Sequence, residues 1–255
     1  MSQHLENFQA ISKAKHTELR VKSFTDCKHL QHYNNSVIVA EEIAEIAASC
    51  PVAFLKDEDS GRFQLSAIFG LMPNENLLVN EQGKWLGTYI PVNFNIKPFS
   101  ASSGDTNAED WLHIDINSSN VSTTLGHKLF ENDVETDYLT QMRQQLESVI
   151  DASVQTEKLT EELVNRNLIT EFKLIIEGLT EEPQVISDLY TINTDEFAYL
   201  TNDDIVLFHE MRYWGAIYAM QHSMKQFKKL VQLRNSRNPN SHIKLTIHID
   251  RENSD

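Results

Sequence analysis

Between Ala40 and Leu78 the hydrophobic period changes, and no other feature constrains the fold of this chain as strongly. AEEIAEIAAS sets Ile43, Ile46 and Ala47 on one helical face with the glutamates off it. Cys50-Pro51 ends that helix, because proline lacks an N–H donor and restricts the residue before it. VAFL, RFQLSAIFGL and NLLVN then follow as short runs rich in Val, Phe, Leu and Ile, separated by DEDSG and MPNEN. Apolar runs with such spacers predict antiparallel strands joined by turns. NEQGKW and GTYIPV extend the pattern, so roughly three to five strands are expected between Val52 and Phe99. Gly61 and Gly83 fall at the turns.

Further along, helical and strand periods alternate in blocks. From Thr136 to Val164 the apolar positions Leu139, Met142, Leu146, Val149 and Ile150 share one helical face. A second long helix is expected from Asp203 to Leu233, with aspartates in its first turn and basic residues near its end, as helix-terminal partial charges favour. WLHIDI alternates as a strand. LITEFKLIIE reads as a strand pair, DLYTINTDEFAYL as a strand and a turn, and residues 243–249 as a final strand. Residues 101–110 form a polar loop. The expected class is therefore α+β, with a mixed or mainly antiparallel sheet over residues 52–116 packed by two long amphipathic helices. A polar arm, loose or briefly helical, is expected over residues 1–20, a single domain over 21–233 and a polar tail over 234–255.

The 255 residues carry a formal net charge of -15. That argues against a nucleic-acid binder that works by neutralising phosphates and against docking on anionic lipid. The charge is uneven: from Arg212 to Lys244 there are seven Lys or Arg and no Asp or Glu. The basic helix end QFKKLVQLRNSR is expected to meet the chain's own acidic surface or an acidic subunit. Cys27 and Cys50 are the only cysteines, and free thiols in a reducing compartment are expected. The opening MSQHLENFQAISKAKH lacks the apolar core of a secretory signal, and no run reaches the length of a membrane span. A cytoplasmic location without membrane insertion follows.

The densest concentration of candidate binding groups is PNENLLVNEQGKWLGTYIPVNFNIKPF, residues 73–99. Asparagine both donates and accepts hydrogen bonds, and aromatic rings give contact surfaces at low entropic cost. Asn76, Trp85, Tyr89 and Lys97, with Asp115 nearby, make up the candidate ligand site; the competing reading is a set of tight turns around a core tryptophan. His113 and Asp115, two apart on a strand, share a face and with His127 are weak metal candidates. A site needs three or four converging ligands, so neither metal nor cofactor is expected. FHEMRYWG lacks the second histidine of a zinc hydrolase helix. Met211, Met220 and Met224 with His209 and His222 read as core methionines and flanking histidines rather than a copper site. Neither cysteine has the surroundings of an activated thiol, and no glycine-rich phosphate loop is present.

The chain also resembles the SapC family of bacterial proteins over residues 16 to 230. The resemblance rests on Pro51, Val52, Ala53 and Phe54, and on Gly70 followed by Glu75, Asn76 and Leu77. It continues through Gly83 and Trp85; Tyr89 and Pro91; Pro98 and Phe99; Ile114, Asp115 and Ser118; and Gly126, Leu129 and Phe130. Leu189, Tyr190 and the helix with Gly215, Ala216, Ile217, Tyr218, Ala219 and Ser223 complete it. Two positions depart from the family pattern. A basic pair is replaced around Asn95, Ile96 and Lys97, and a histidine by Met220. The resemblance implies association with a bacterial surface layer and company with tryptophan-halogenase-like proteins and outer-membrane receptors. It supplies no catalytic residue.

Together these readings favour a non-catalytic binding or accessory protein for a peptide, protein or small ligand. One alternative is an enzyme using Asp115 with His113 or His127. The other is a structural or surface-associated subunit.

Overall fold

The computed structural model describes residues 7–57, 60–102, 106, 110–239 and 242–249. Of the 101–110 loop, residues 103–105 and 107–109 lie outside the described residues, as do the first six residues of the expected arm and the last six of the tail. The fold is α+β with antiparallel sheets. The chain divides into two compact units. One joins the stretch up to Thr25 to Val92–Ala152; the other joins Asp26–Pro91 to the chain from Ser153 onward.

In the first unit, strand Leu112–Asp115 lies between Phe8–Ala10 and Phe99–Ala101, antiparallel to both. Within the expected arm, Lys13–His16 is briefly helical, while Phe8–Ala10 is not loose but pairs through its backbone, a bond that needs no apolar signature in the sequence. A second small sheet sets Arg20–Val21 between Val121–Ser122 and His127–Lys128. Phe130–Glu131 and Val134–Glu135 form a hairpin whose two linking residues, Asn132 and Asp133, both have positive φ. Asn and Asp tolerate that left-handed conformation best among side-chain-bearing residues. The core of the unit is Ile11, Val21, Phe99, Trp111, Ile114, Leu129, Leu139 and Leu146, with their neighbours.

The second unit is built on a six-stranded sheet. Its order is Lys244–Ile249, Ile169–Glu177, Gln184–Ile192, Val52–Lys56, Phe63–Ile68 and Asn35–Val37, antiparallel throughout. LITEFKLIIE is a single nine-residue strand rather than a pair. Phe172, Leu174 and Ile176 are fully buried along one side of it, each worth about 1.5–3 kcal/mol of apolar burial. Phe227 meets Phe172 edge to face, with centroids 5.9 Å apart. Buried Ser223 accepts from Val52 N at 2.9 Å.

Two expectations about elements are corrected here. Among the described residues between Val52 and Pro91, only Val52–Lys56 and Phe63–Ile68 are strands; after them come turns, with one isolated bridge between Val79 and Trp85. The backbone there is bound by side chains instead of a ladder, as described below. The strands of residues 52–68 and 99–115 also belong to different sheets. The first long helix runs Asp137–Asn165 as expected. The second is divided into Asn202–Glu210, Tyr213–Ser223 and Phe227–Arg237, with a 3-10 turn at Met224–Gln226. Arg212, at φ 59, makes the first break. No helix among the described residues is long and apolar enough to cross a membrane.

Candidate functional site

The 70–89 segment is tied down almost residue by residue. At Gly70 a Cβ would collide with the backbone carbonyl of Glu75, so only glycine closes this turn. Glu75 accepts from Leu71 N at 3.0 Å and pairs with Arg234. Asn76, only 3% exposed, donates from Nδ2 to Leu30 O at 3.0 Å and accepts at Oδ1 from Leu78 N at 2.9 Å. Arg237 donates to the carbonyls of Asn76, Leu77 and Val79 at 3.0, 2.6 and 2.8 Å. Two arginines of the last helix thus clasp a strandless loop, Arg234 through the Glu75 carboxylate and Arg237 by satisfying carbonyls that a ladder would otherwise serve.

Trp85 and Tyr89 continue this theme. The half-buried indole donates to Tyr89 O at 2.8 Å and meets Phe69 edge to face at 5.5 Å. A Cβ on Gly87 would lie 2.6 Å from the indole nitrogen, so that glycine makes room for the ring. The Tyr89 hydroxyl bonds to Glu42; burial, with the Glu42 charge and hydrogen bond behind it, pushes the phenol up to about 12.

Lys97 and Asp115 belong to the other unit. Lys97 is half-buried and precedes a cis peptide bond to Pro98. Asp115 Oδ1 accepts from Asn7 N at 2.8 Å and Asn117 N at 3.1 Å, holding a strand end and a turn. His113 sits half-buried on the central strand, opposite Ala10 and Ser100. His127 Nε2 lies 3.1 Å from Ser23 Oγ, and its ring stacks on Tyr138 with centroids 4.6 Å apart. It borders an open cleft of about 470 Å³. Among the described residues no three His, Cys, Asp or Glu are placed to share an ion.

Cys27 and Cys50 are free thiols. Burial pushes Cys50 up to about 12, and burial followed by the Asp26 charge raises Cys27. Raised values disfavour the nucleophilic thiolate at neutral pH.

The surface that sequence reading passed over is the outer side of the Tyr213–Ser223 helix. Tyr213, Ile217, Met220 and Ser223 face inward and are buried. At 100° per residue, Trp214, Tyr218, His222 and Gly215 fall on the opposite side. Trp214 stacks on Tyr218 with centroids 5.8 Å apart, and Phe197 meets both edge-on at 5.8 and 6.5 Å. Phe208, fully buried, supports Trp214 at 5.4 Å. Tyr218 remains 47% exposed, and the preceding segment also exposes Tyr199, Ile205, Val206 and Met211. A Cβ added at Gly215 would meet nothing within 4 Å. The available signal was Gly215 itself: a mid-helix glycine costs about 1 kcal/mol relative to alanine and here answers to no internal contact.

No curated protein and no solved structure matches the chain. The SapC family model matches residues 11–230, which takes in the clasped 70–89 segment and the aromatic helix alike, and the chain belongs to the SapC family.

Proposed function

We propose that this chain is a non-catalytic binding or accessory protein that works through protein–protein contact on the outer side of the Tyr213–Ser223 helix. The observation that carries this reading is the stacked Trp214–Tyr218 pair, braced by Phe197 and Phe208 yet left open on its outer side. Interface cores are enriched in Tyr, Trp, Phe and Met, and a ring fixed beforehand by its neighbours loses little entropy on binding. The 70–89 segment is assigned to the framework of the fold, because its polar groups bond within the chain. The free thiols fit a reducing compartment, and with it a cytoplasmic location. A tryptophan-halogenase-like protein remains the partner that the family resemblance implies.

The test compares proteins retained by wild-type chain and by Tyr218→Glu, each shown to be folded by circular dichroism. The expected result is loss of specific partners in the variant alone. Identical retention by both would move the site elsewhere.

A second reading, an enzyme, draws on the contact between Ser23 and His127 beside the 470 Å³ cleft. A hydroxyl activated by an imidazole is the start of a nucleophilic site. That reading predicts covalent labelling of Ser23 by a fluorophosphonate probe, blocked by His127→Ala; an unlabelled Ser23 ends it.

A further inference from the structure

We infer that a cleft of about 490 Å³, between the hairpin turn at Arg62 and the last turns of the Asp137–Asn165 helix, binds a free basic amino acid. All of its walls belong to the second unit. This is a small-molecule site, and it does not depend on the reading of the Tyr213–Ser223 face.

The local structure builds two walls of opposite character. On one side, the turn after Val52–Lys56 is held by the Asp57 carboxylate. It accepts from Ser60 N and Oγ at 2.8 and 2.7 Å and from Gln64 Nε2 at 3.0 Å. Gly61, at φ 68, takes the left-handed step that glycine adopts without strain. The chain leaves this turn with Arg62 and Phe63 in the cleft wall. On the other side, Glu157, Glu161, Val164 and Asn165 recur at helical spacing and share one face. Clefts of about 300–1,000 Å³ are the usual size for small ligands.

Both signs of charge line this cleft, and they do not pair with each other. Among the described residues, the side chains of Arg62, Glu157, Glu161 and Asn165 have no hydrogen-bond or ion-pair partner. The neighbouring charges do not cancel them. Asp57 is engaged within its own turn. Lys56 stands over the Phe63 and Tyr190 rings, 5.4 and 4.8 Å from their centroids, and is not part of the walls. Arg166, just past the helix, is committed to Glu162 and Asp204. Lys158 falls about 100° round the helix from Glu157, off the lining face. Two carboxylates and one guanidinium leave the walls with a net of one negative charge.

The ligand follows from that arrangement. Like charges one turn apart on a helix repel, and the negative end of the helix dipole adds to the repulsion. No basic residue stands in the last turn to relieve it. A ligand with two cationic nitrogens does. Across the cleft, the planar fork of Arg62 matches a carboxylate. Phe63 and Val164, the latter 42% exposed, offer apolar surface to methylene groups. One carboxylate, two cationic nitrogens and an aliphatic stem describe lysine or arginine. Either carries one net positive charge and leaves the cleft neutral.

An NMR titration of the full chain with lysine tests this. Amide resonances of Gly61–Phe63 and Glu157–Asn165 are expected to shift together and to saturate. Cadaverine lacks the carboxylate, norleucine the side-chain ammonium, and Nα-acetyllysine the α-ammonium. Each is expected to bind about tenfold more weakly, because a charged group of the cleft is left unmatched. Arg62→Gln is expected to weaken lysine about tenfold and to leave cadaverine unchanged. Glu157→Gln and Glu161→Gln are each expected to weaken lysine and cadaverine alike. All three positions are exposed, so the variants are expected to melt as the wild type does. Absence of a saturable shift at these amides overturns the inference. So does cadaverine binding as tightly as lysine, or lysine binding that Arg62→Gln and both glutamate variants leave unmoved.

Discussion

The 70–89 loop and the outer side of the Tyr213–Ser223 helix have similar ingredients in opposite surroundings. Each sets a tryptophan beside a tyrosine four residues on, and each has a glycine next to the tryptophan or one residue further on. In the loop, the indole donates to a backbone carbonyl, the phenol bonds to Glu42, and Gly87 exists to admit the ring. In the helix, the rings stack on each other, and Gly215 admits nothing from its own chain. Aromatic and asparagine content alone therefore does not tell whether such groups already have partners within the chain. What separates the two regions is whether the polar groups and the space around the glycine are already spoken for.

The largest expected effect falls in the loop. Gly70→Ala forces a Cβ against the Glu75 carbonyl, and backbone strain of that kind is expected to cost about 3–4 kcal/mol in urea unfolding. A loss below 1 kcal/mol would show that the turn relaxes freely and that the loop is looser than its hydrogen bonds imply. Arg237→Ala comes next. It strips the donors from three carbonyls, and about 2–3 kcal/mol is expected because buried acceptors are left unsatisfied. Asn76→Ala, which removes two buried hydrogen bonds, is expected to cost about 2 kcal/mol.

Tyr89 sharpens the contrast through pH. Its folded value, about 12, lies above the ordinary 10, so the native state holds the phenol proton after the unfolded chain has released it. Its stabilising contribution is therefore complete below pH 10 and is lost as pH rises from 10 through 12. Tyr89→Phe is expected to flatten that alkaline limb in pH-dependent melting; an unchanged limb would remove Tyr89 from the framework. The smallest effect belongs to the helix face. Tyr218→Ala is expected to change stability by no more than about 0.5 kcal/mol, as exposed positions do. A loss of 2 kcal/mol or more would make Tyr218 part of the fold and erase the distinction.

Much of the local structure was legible without coordinates. The 3.6-residue period fixed Asp137–Asn165 to within a residue or so, and short β-rich runs located Val52–Lys56, Phe63–Ile68, Ile169–Glu177 and the terminal strand at Lys244–Ile249. These signals survive because each element's inward side is written in consecutive residues. The run of small and apolar residues from Tyr213 to Met220 gave no warning that Arg212 breaks the helix, since the apolar period continues across it. NLLVN and GTYIPV carry strand-like composition, yet Leu77 and Leu78 are buried in a loop.

The α+β class, the antiparallel runs, the first long helix and membership of the SapC family can be read along the chain, because composition, period and motif spacing are local properties. Which polar and aromatic groups are already satisfied is settled by folding in three dimensions. Asn76 finds its clasp in Arg237, 161 positions away along the chain, and the strand at Phe8–Ala10 finds its partner more than a hundred residues downstream. Tertiary structure likewise divided the chain into two units of non-contiguous segments and left the Trp214–Tyr218 face uncovered. Hydrogen bonds and burial depend on what lies nearby in space, and no short window of residues records that.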